Sequence, residues 1–173
     1  VMWKLIEAGQ ETEEQRTLLA RTPPINLFRL LGHHPPLAAR IAALGAQVMN
    51  DEVALPARVR ELIALRVGRL FGSAYVEGQH RRVAQRLGIP DCDIVGWLLG
   101  LPASDIDLDQ QLLLRAVESM VTGFALEPND VAAIELRWGD SGLIAIAVTV
   151  GYFTMLSLIT RAAGLELESP RDV

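Results

Sequence analysis

An acid and a histidine stand on two consecutive helical patterns within residues 55–89, LPARVRELIALRVGRLFGSAYVEGQHRRVAQRLGI. The acid is Glu61. By i±3 and i±4 spacing it shares a helix face with Ala57, Arg58, Ala64, Leu65 and Gly68. A carboxylate on so small and apolar a face is partly desolvated, with Arg58 as its available counter-charge; the alternative is a solvated glutamate in an ordinary ion pair. The histidine is His80, on a face with Val76, Glu77, Val83, Ala84 and Leu87. An imidazole on such a stripe is either a satisfied core residue or a proton carrier. Glu77 can pair with His80 at i+3 or with Arg81 at i+4. A carboxylate and an imidazole brought together supply general acid–base chemistry.

Other polar residues offer less. His33-His34 precedes two prolines. Adjacent residues point apart and no third ligand is spaced nearby, so a loop is expected there and no metal site. Tyr75 and Tyr152 can donate hydrogen bonds in a pocket, whereas Trp97 and Trp138 read as packing residues. No Gly-rich phosphate loop, nucleophile elbow or HExxH motif is present.

The elements that must position these groups all read as helices at period 3.6. Helices are expected over 12–20, with Thr12 as N-cap, and from Pro35 or Pro36 to 49, with a brief turn at 26–31 between them. Asn50-Asp51-Glu52 reads as a loop. The pair carrying Glu61 and His80 spans 56–71 and 74–87, broken at Gly72-Ser73 and closed by Gly88 and Pro90. That pair should form an antiparallel hairpin that brings the two side chains together. Helices over 91–99 and 108–125 follow, the second after the acidic turn at Ser104–Asp107. Asn129 is expected to cap 130–137. A turn at 138–141 then leads, with Ser141 as cap, into a last helix ending near Ala163. The expected fold is an all-α, single-domain helical bundle of about eight helices.

Composition narrows the partners. The chain has 173 residues, half of them apolar, and a net charge of −5. There is no long basic run, so nucleic acid and anionic membrane are not expected partners. Half apolar is rich for a monomer, and a subunit interface is the usual place to bury the surplus. The uncharged stretch 142–160 is near the minimum length for a membrane span, but its Thr, Ser, Gly and Tyr content favours a buried core or interface helix. The single cysteine, Cys92, has no intrachain partner. A reducing, cytoplasmic setting fits that and is expected, and the N-terminal residues lack the apolar region of a signal peptide.

Three segments, in order, resemble the carboxymuconolactone decarboxylase family, which includes the alkylhydroperoxidase D-like proteins. The first is Asn26-Leu27-Phe28-Arg29 through His33-His34-Pro35. The second is Arg60-Glu61-Leu62, then Gly72-Ser73-Ala74-Tyr75, then Gln79-His80. The third is Gly151-Tyr152-Phe153-Thr154-Met155 with Ala163-Gly164. The resemblance covers roughly 24–168 and leaves 1–23 as an N-terminal extension. It implies the alkylhydroperoxidase D-like fold and a homo-oligomer, a trimer or a hexamer.

The departures from the family pattern bear on chemistry. The peroxidase branch carries two cysteines where this chain has Ser73 and Val76, and neither residue cycles between thiol and disulfide. The decarboxylase branch often has a glutamate at the position of Val76; here the acid is Glu77, about 100° further round the helix. Many members also have a glutamate where this chain has Ala145. Glu61 and His80 are kept while two accessory acids are moved or lost, which points away from carboxymuconolactone itself as substrate.

The resemblance therefore implies an enzyme of the decarboxylase-like branch that needs no metal or organic cofactor. His80 would move a proton next to a carbonyl, with Glu61 orienting it or acting as the second acid/base group. Ser73 or Tyr75 would stabilise the oxyanion, and Glu77 would lie close by. The substrate would be a small carboxylated, lactone or polyketide-like molecule, undergoing decarboxylation, isomerisation or cyclisation. The alternative is a non-catalytic, oligomeric ligand-binding protein on the same fold. A coupled assay with a hydroperoxide and a dithiol donor should show no peroxide consumption. Turnover that survives Cys92→Ser would reveal a redox group this reading lacks.

Overall fold

The computed structural model describes residues 3–50, 55–101 and 108–168. Among them are eight α-helices, one π-helical turn and no strand. The helices are α1 (Glu13–Leu19), α2 (Asn26–Leu31), α3 (Pro35–Val48), α4 (Ala57–Leu70), α5 (Ala74–Arg86), α6 (Asp91–Leu99), α7 (Leu108–Glu118) and α8 (Pro128–Ala163). The expected loop at Asp51-Glu52 and the acidic turn at Ser104–Asp107 lie outside the described residues.

Local chemistry starts most of these helices. Thr12 and Gln15 form a capping box on α1, each side chain meeting the other's backbone N–H. Pro35 opens α3 at a position where its missing N–H costs nothing, and the His34 ring accepts from the Leu37 amide. The break between α4 and α5 is set by Ser73, whose hydroxyl accepts from the Val76 amide.

Two expectations differ in detail. The expected helix over 108–125 leaves α geometry after Glu118 and passes through the π-helical turn Ser119–Gly123. There the Thr122 hydroxyl donates to the Glu118 carbonyl, and Phe124 closes the turn with φ 59°. The last helix begins at Pro128, with Glu127 rather than Asn129 as N-cap, because proline is preorganised for the first helical position. The expected four-residue turn at 138–141 shrinks to Gly139 alone. Its φ of 65° and ψ of −176° break α8 into arms 128–138 and 140–163, a conformation that a side chain would strain.

α4 is the axis of the bundle. Arg60 through Leu65, with Val67 and Gly68, are all buried. α5, α6, α7 and α8 pack around α4. Trp97, Leu113, Ile134, Ile146 and Phe153 fill the space between these helices, all essentially inaccessible to water. A helix buried on nearly every side must satisfy any polar group it carries from within. Arg60 does so by donating to the carbonyls of Met49 (3.0 Å), Asn50 (3.1 Å) and Leu55 (2.6 Å), which ties the end of α3 to the start of α4.

The uncharged stretch 142–160 lies in the second arm of α8. α8 has the length and hydropathy to cross a membrane, but half of its most apolar window is buried inside the chain. Ala145, Ile146, Thr149, Val150, Phe153, Leu156 and Ser157 face inward. Ile144, Val148 and Leu158 face outward.

Candidate functional site

Glu61 stands near the middle of α4, and its side chain is 1% exposed. α4 and α5 pack side by side across the short Gly72-Ser73 break, and His80 meets Glu61 there. The imidazole Nδ1 lies 2.7 Å from Glu61 Oε2. Arg58, the counter-charge suggested by spacing, is taken up instead by Asp93 on α6. Glu61 is therefore served by the histidine. The pairing fixes the imidazole's plane and occupies Nδ1, which leaves Nε2 for proton exchange.

The other side of the imidazole is apolar. The Phe153 ring meets it edge-on, with centroids 4.6 Å apart and planes at 79°. His80 lines a cavity of about 400 Å³ bounded by α2, α3, α5 and α8. Leu27, Phe28, Met49, Val83 and Leu156 supply apolar walls, and Gln79 and Tyr152 supply polar groups. Arg21 and Arg86, both exposed, mark its solvent end. A larger groove of about 560 Å³ runs beside it between α1 and α3. Alanines line most of its α3 wall, and it contains neither Glu61 nor His80. The smaller cavity is the one with chemistry in its wall.

Tyr152 reaches this cavity, as its pocket role anticipated. Burial pushes its hydroxyl up to about 12, so it keeps its proton at neutral pH. The other three residues singled out with the dyad stand elsewhere. The Ser73 hydroxyl is buried against Thr160 Oγ1, 2.8 Å away, besides capping α5. Val76, the other position at which the peroxidase branch carries cysteine, packs against Gly68 of α4. Glu77, about 60° round the helix from His80, faces Arg69 (3.9 Å) and Arg81 (3.7 Å) instead. The Tyr75 hydroxyl donates to Glu168 Oε1 (2.7 Å) and accepts from the Leu27 amide (3.1 Å) and the Gln79 side chain (3.2 Å). Burial first, and then the Glu168 carboxylate, hold it well above the ordinary tyrosine range. None of the three lines the cavity.

Glu168 carries no signal in the sequence. It follows the last helix and belongs to no periodic pattern, yet it is buried. Its carboxylate accepts from the Asn26 amide at the start of α2 (2.6 Å), from Tyr75 and from Gln79. Burial pushes its pKa up, but these donors outweigh burial and hold the carboxyl below its usual range. The C-terminal segment is thereby clasped to α2 and α5, next to the cavity wall that Gln79 and His80 share. The paired histidines do act as loop and cap residues. His33 Nε2 is 2.9 Å from the Lys4 carbonyl, and His34 caps α3. Among the described residues no group of three His, Cys, Asp or Glu side chains is placed to hold a metal ion.

Residues 35–99 match the model of the carboxymuconolactone decarboxylase family. No curated protein matches the chain. Solved structures share its fold. A peroxidase-related protein from Ralstonia eutropha JMP134, described as an alkylhydroperoxidase AhpD core, superposes with a TM-score of 0.83 at 16% identity, covering 97% of this chain and 92% of its own. A peroxidase-related protein from Silicibacter sp. TM1040 gives 0.82 at 16% identity, with the same coverage. A variant of the debrominase Bmp8, in complex with 2,3,4-tribromopyrrole, gives 0.80 at 13% identity, covering 98% and 92%.

The Glu168 clasp has a pH signature. A carboxyl whose folded pKa lies below its unfolded value contributes stability that is complete above the unfolded value, about 4.3, and is lost as pH falls through the folded one. Urea unfolding of wild type and Glu168→Gln should therefore differ most near neutral pH. The difference should shrink below about pH 4. A gap independent of pH would show that Glu168 contributes packing and not charge.

Proposed function

We propose that this chain, which carries a carboxymuconolactone decarboxylase family segment on the alkylhydroperoxidase D-like fold and lacks the redox cysteine pair, is a cofactor-independent acid–base enzyme. His80 Nε2 exchanges a proton with a carbon next to a carbonyl. Glu61 holds the imidazole through Nδ1 and stabilises the imidazolium that forms when the proton is taken. The observation that carries this reading is a histidine bonded to a fully buried carboxylate while its ring lines an apolar cavity.

The proposed substrate is a small carboxylated molecule with a lactone or polyketide-like body. A cavity of about 400 Å³ suits such a size. Arg21 and Arg86 at its solvent end make no ion pair or side-chain hydrogen bond with the described residues, so a carboxylate on the substrate has cations to meet. Decarboxylation reaches an enolate by losing carbon dioxide, and isomerisation and cyclisation reach one by losing a C–H proton to His80; each enolate then needs the same support. The debrominase is described in complex with a small ring compound, and the fold's capacity for such ligands supports the reading. A second reading, a ligand-binding protein without turnover, draws on the moved acid at Glu77 and the alanine at position 145.

The proposal includes a cytoplasmic setting and assembly into a homo-oligomer. Ile144, Val148, Gly151 and Leu158 lie outward on α8 at spacings of four, three and seven, an apolar seam suited to a second copy. Static light scattering at micromolar concentration should give a trimer or a hexamer, and a monomer would defeat that part.

Proton transfer is testable without the native substrate. A panel of β-keto acids and carboxylated lactones is incubated with the chain in deuterium oxide, and α-carbon exchange is followed by NMR. His80→Ala and His80→Gln should both lower the exchange of any accepted compound by roughly 10²–10⁴, because glutamine hydrogen-bonds but does not carry a proton near neutral pH. Wild-type rates in both variants would transfer preference to the ligand-binding reading.

A further inference from the structure

An enolate needs a hydrogen-bond donor for its oxygen, and the cavity wall contains a donor with nothing to do. Tyr152 is 7% exposed and lines the cavity together with His80. Its ring meets Phe153 edge-on, centroids 5.4 Å apart, and Phe153 in turn meets His80. Its hydroxyl makes no hydrogen bond with any described residue, unlike that of Tyr75, which makes three. It stands on the cavity wall, so its proton is free to be donated to whatever molecule fills the cavity.

The opposite helix makes room for it. A Cβ at position 45 of α3 would stand 2.2 Å from the Tyr152 hydroxyl oxygen and 2.9 Å from the ring carbon that carries it. Both positions belong to the cavity lining. Gly45 is thus a recess that seats this hydroxyl on the cavity wall. A phenylalanine at 152 would need no such recess for an oxygen, and an alanine at 45 would push the phenol out of place.

We propose that Tyr152, seated over Gly45, is the oxyanion-binding donor of the site: its hydroxyl hydrogen-bonds the substrate oxygen on which negative charge collects when His80 removes or delivers the proton. Gly45 acts as a positioning residue. Ser73 and Tyr75 are already engaged inside the protein, and Tyr152 is the lining hydroxyl that is not. Its raised pKa keeps the proton on the donor at neutral pH.

The inference rests on the proton-transfer reading for its chemistry, but its test reads binding rather than turnover. The probe is 4-nitrophenol, a ring small enough for the cavity, whose ionised form is coloured. Titration of the full chain across pH gives the affinity of the phenolate and the apparent pKa of the bound probe. Wild type should bind the phenolate and lower that pKa. Tyr152→Phe, which keeps the ring, should weaken phenolate binding by roughly 10- to 100-fold, the range for a hydrogen bond to a charged group. It should leave binding of neutral nitrobenzene unchanged. Gly45→Ala should weaken phenolate binding in the same sense, with its helical circular dichroism checked against wild type.

Equal phenolate affinity in wild type and Tyr152→Phe would overturn the proposal, as would failure of wild type to bind the phenolate. Equal loss of phenolate and nitrobenzene in Tyr152→Phe would also overturn it, since the hydroxyl would then matter for packing and not for charge. If Tyr152→Phe binds normally while His80→Gln still abolishes proton exchange, the oxyanion assignment alone falls. If phenolate binding depends on Tyr152 while the His80 variants exchange protons at the wild-type rate, the donor site stands and the proton-transfer reading falls.

Discussion

Burying a carboxylate in the middle of a packed helix costs on the order of several kcal/mol unless a donor meets it. Glu61 is in that position. Every neighbour on α4 from Arg60 to Leu65 is buried with it, so water cannot serve it. The requirement is met by His80, delivered by the next helix, at 2.7 Å. That contact, with the close approach of Val76 to Gly68, joins α5 to α4 and orients the imidazole. It also decides which ring nitrogen is left for the cavity. Removing either partner would strand the other, which is why the pair constrains the surrounding structure more than its single hydrogen bond suggests.

The cavity follows from the same arrangement. With Nδ1 turned to α4, the rest of the imidazole lies between Phe153 of α8 and the space toward α2 and α3. Apolar walls keep the local dielectric low, so the polar groups that do face inward act strongly. They are few: the imidazole, the Gln79 amide and the Tyr152 hydroxyl, with two arginines at the solvent end. In the proposed reaction these would serve as an acid–base pair, a neutral donor and peripheral cations. At the two positions where the resemblance would put the peroxidase branch's cysteines, Ser73 bonds Thr160 and Val76 packs on Gly68.

A second buried carboxylate stabilises the frame without joining the site. Glu168 collects the Asn26 amide, Tyr75 and Gln79, and so ties the chain's end to the start of α2 and to the face of α5 one turn before the dyad. Tyr75, expected as an oxyanion donor, is consumed by this clasp. Arg60 does comparable work on the other side of α4 by gathering three carbonyls. Each of these buried charges is met by several partners, as burial demands.

The helical class, the positions of the main helices and the pairing of Glu61 with His80 were all legible in the chain. Each is written in local periodicity and short spacing: a two-residue break between two helices with apolar faces favours folding one back on the other. The family segment is legible for the same reason, because its motif spans that hairpin. What the chain could not disclose is which polar groups share a space. Tyr152 faces Gly45 across about a hundred residues of sequence, and Glu168 meets Tyr75 ninety-three positions away. Neither pairing leaves a periodic trace. Ser73, Tyr75 and Glu77 sit within a turn or two of His80 in sequence, yet helix rotation sends them to Thr160, Glu168 and surface arginines. Sequence determined that an acid and a histidine would meet. Only tertiary packing decided what the histidine faces, because the walls of a cavity come from helices that are distant along the chain.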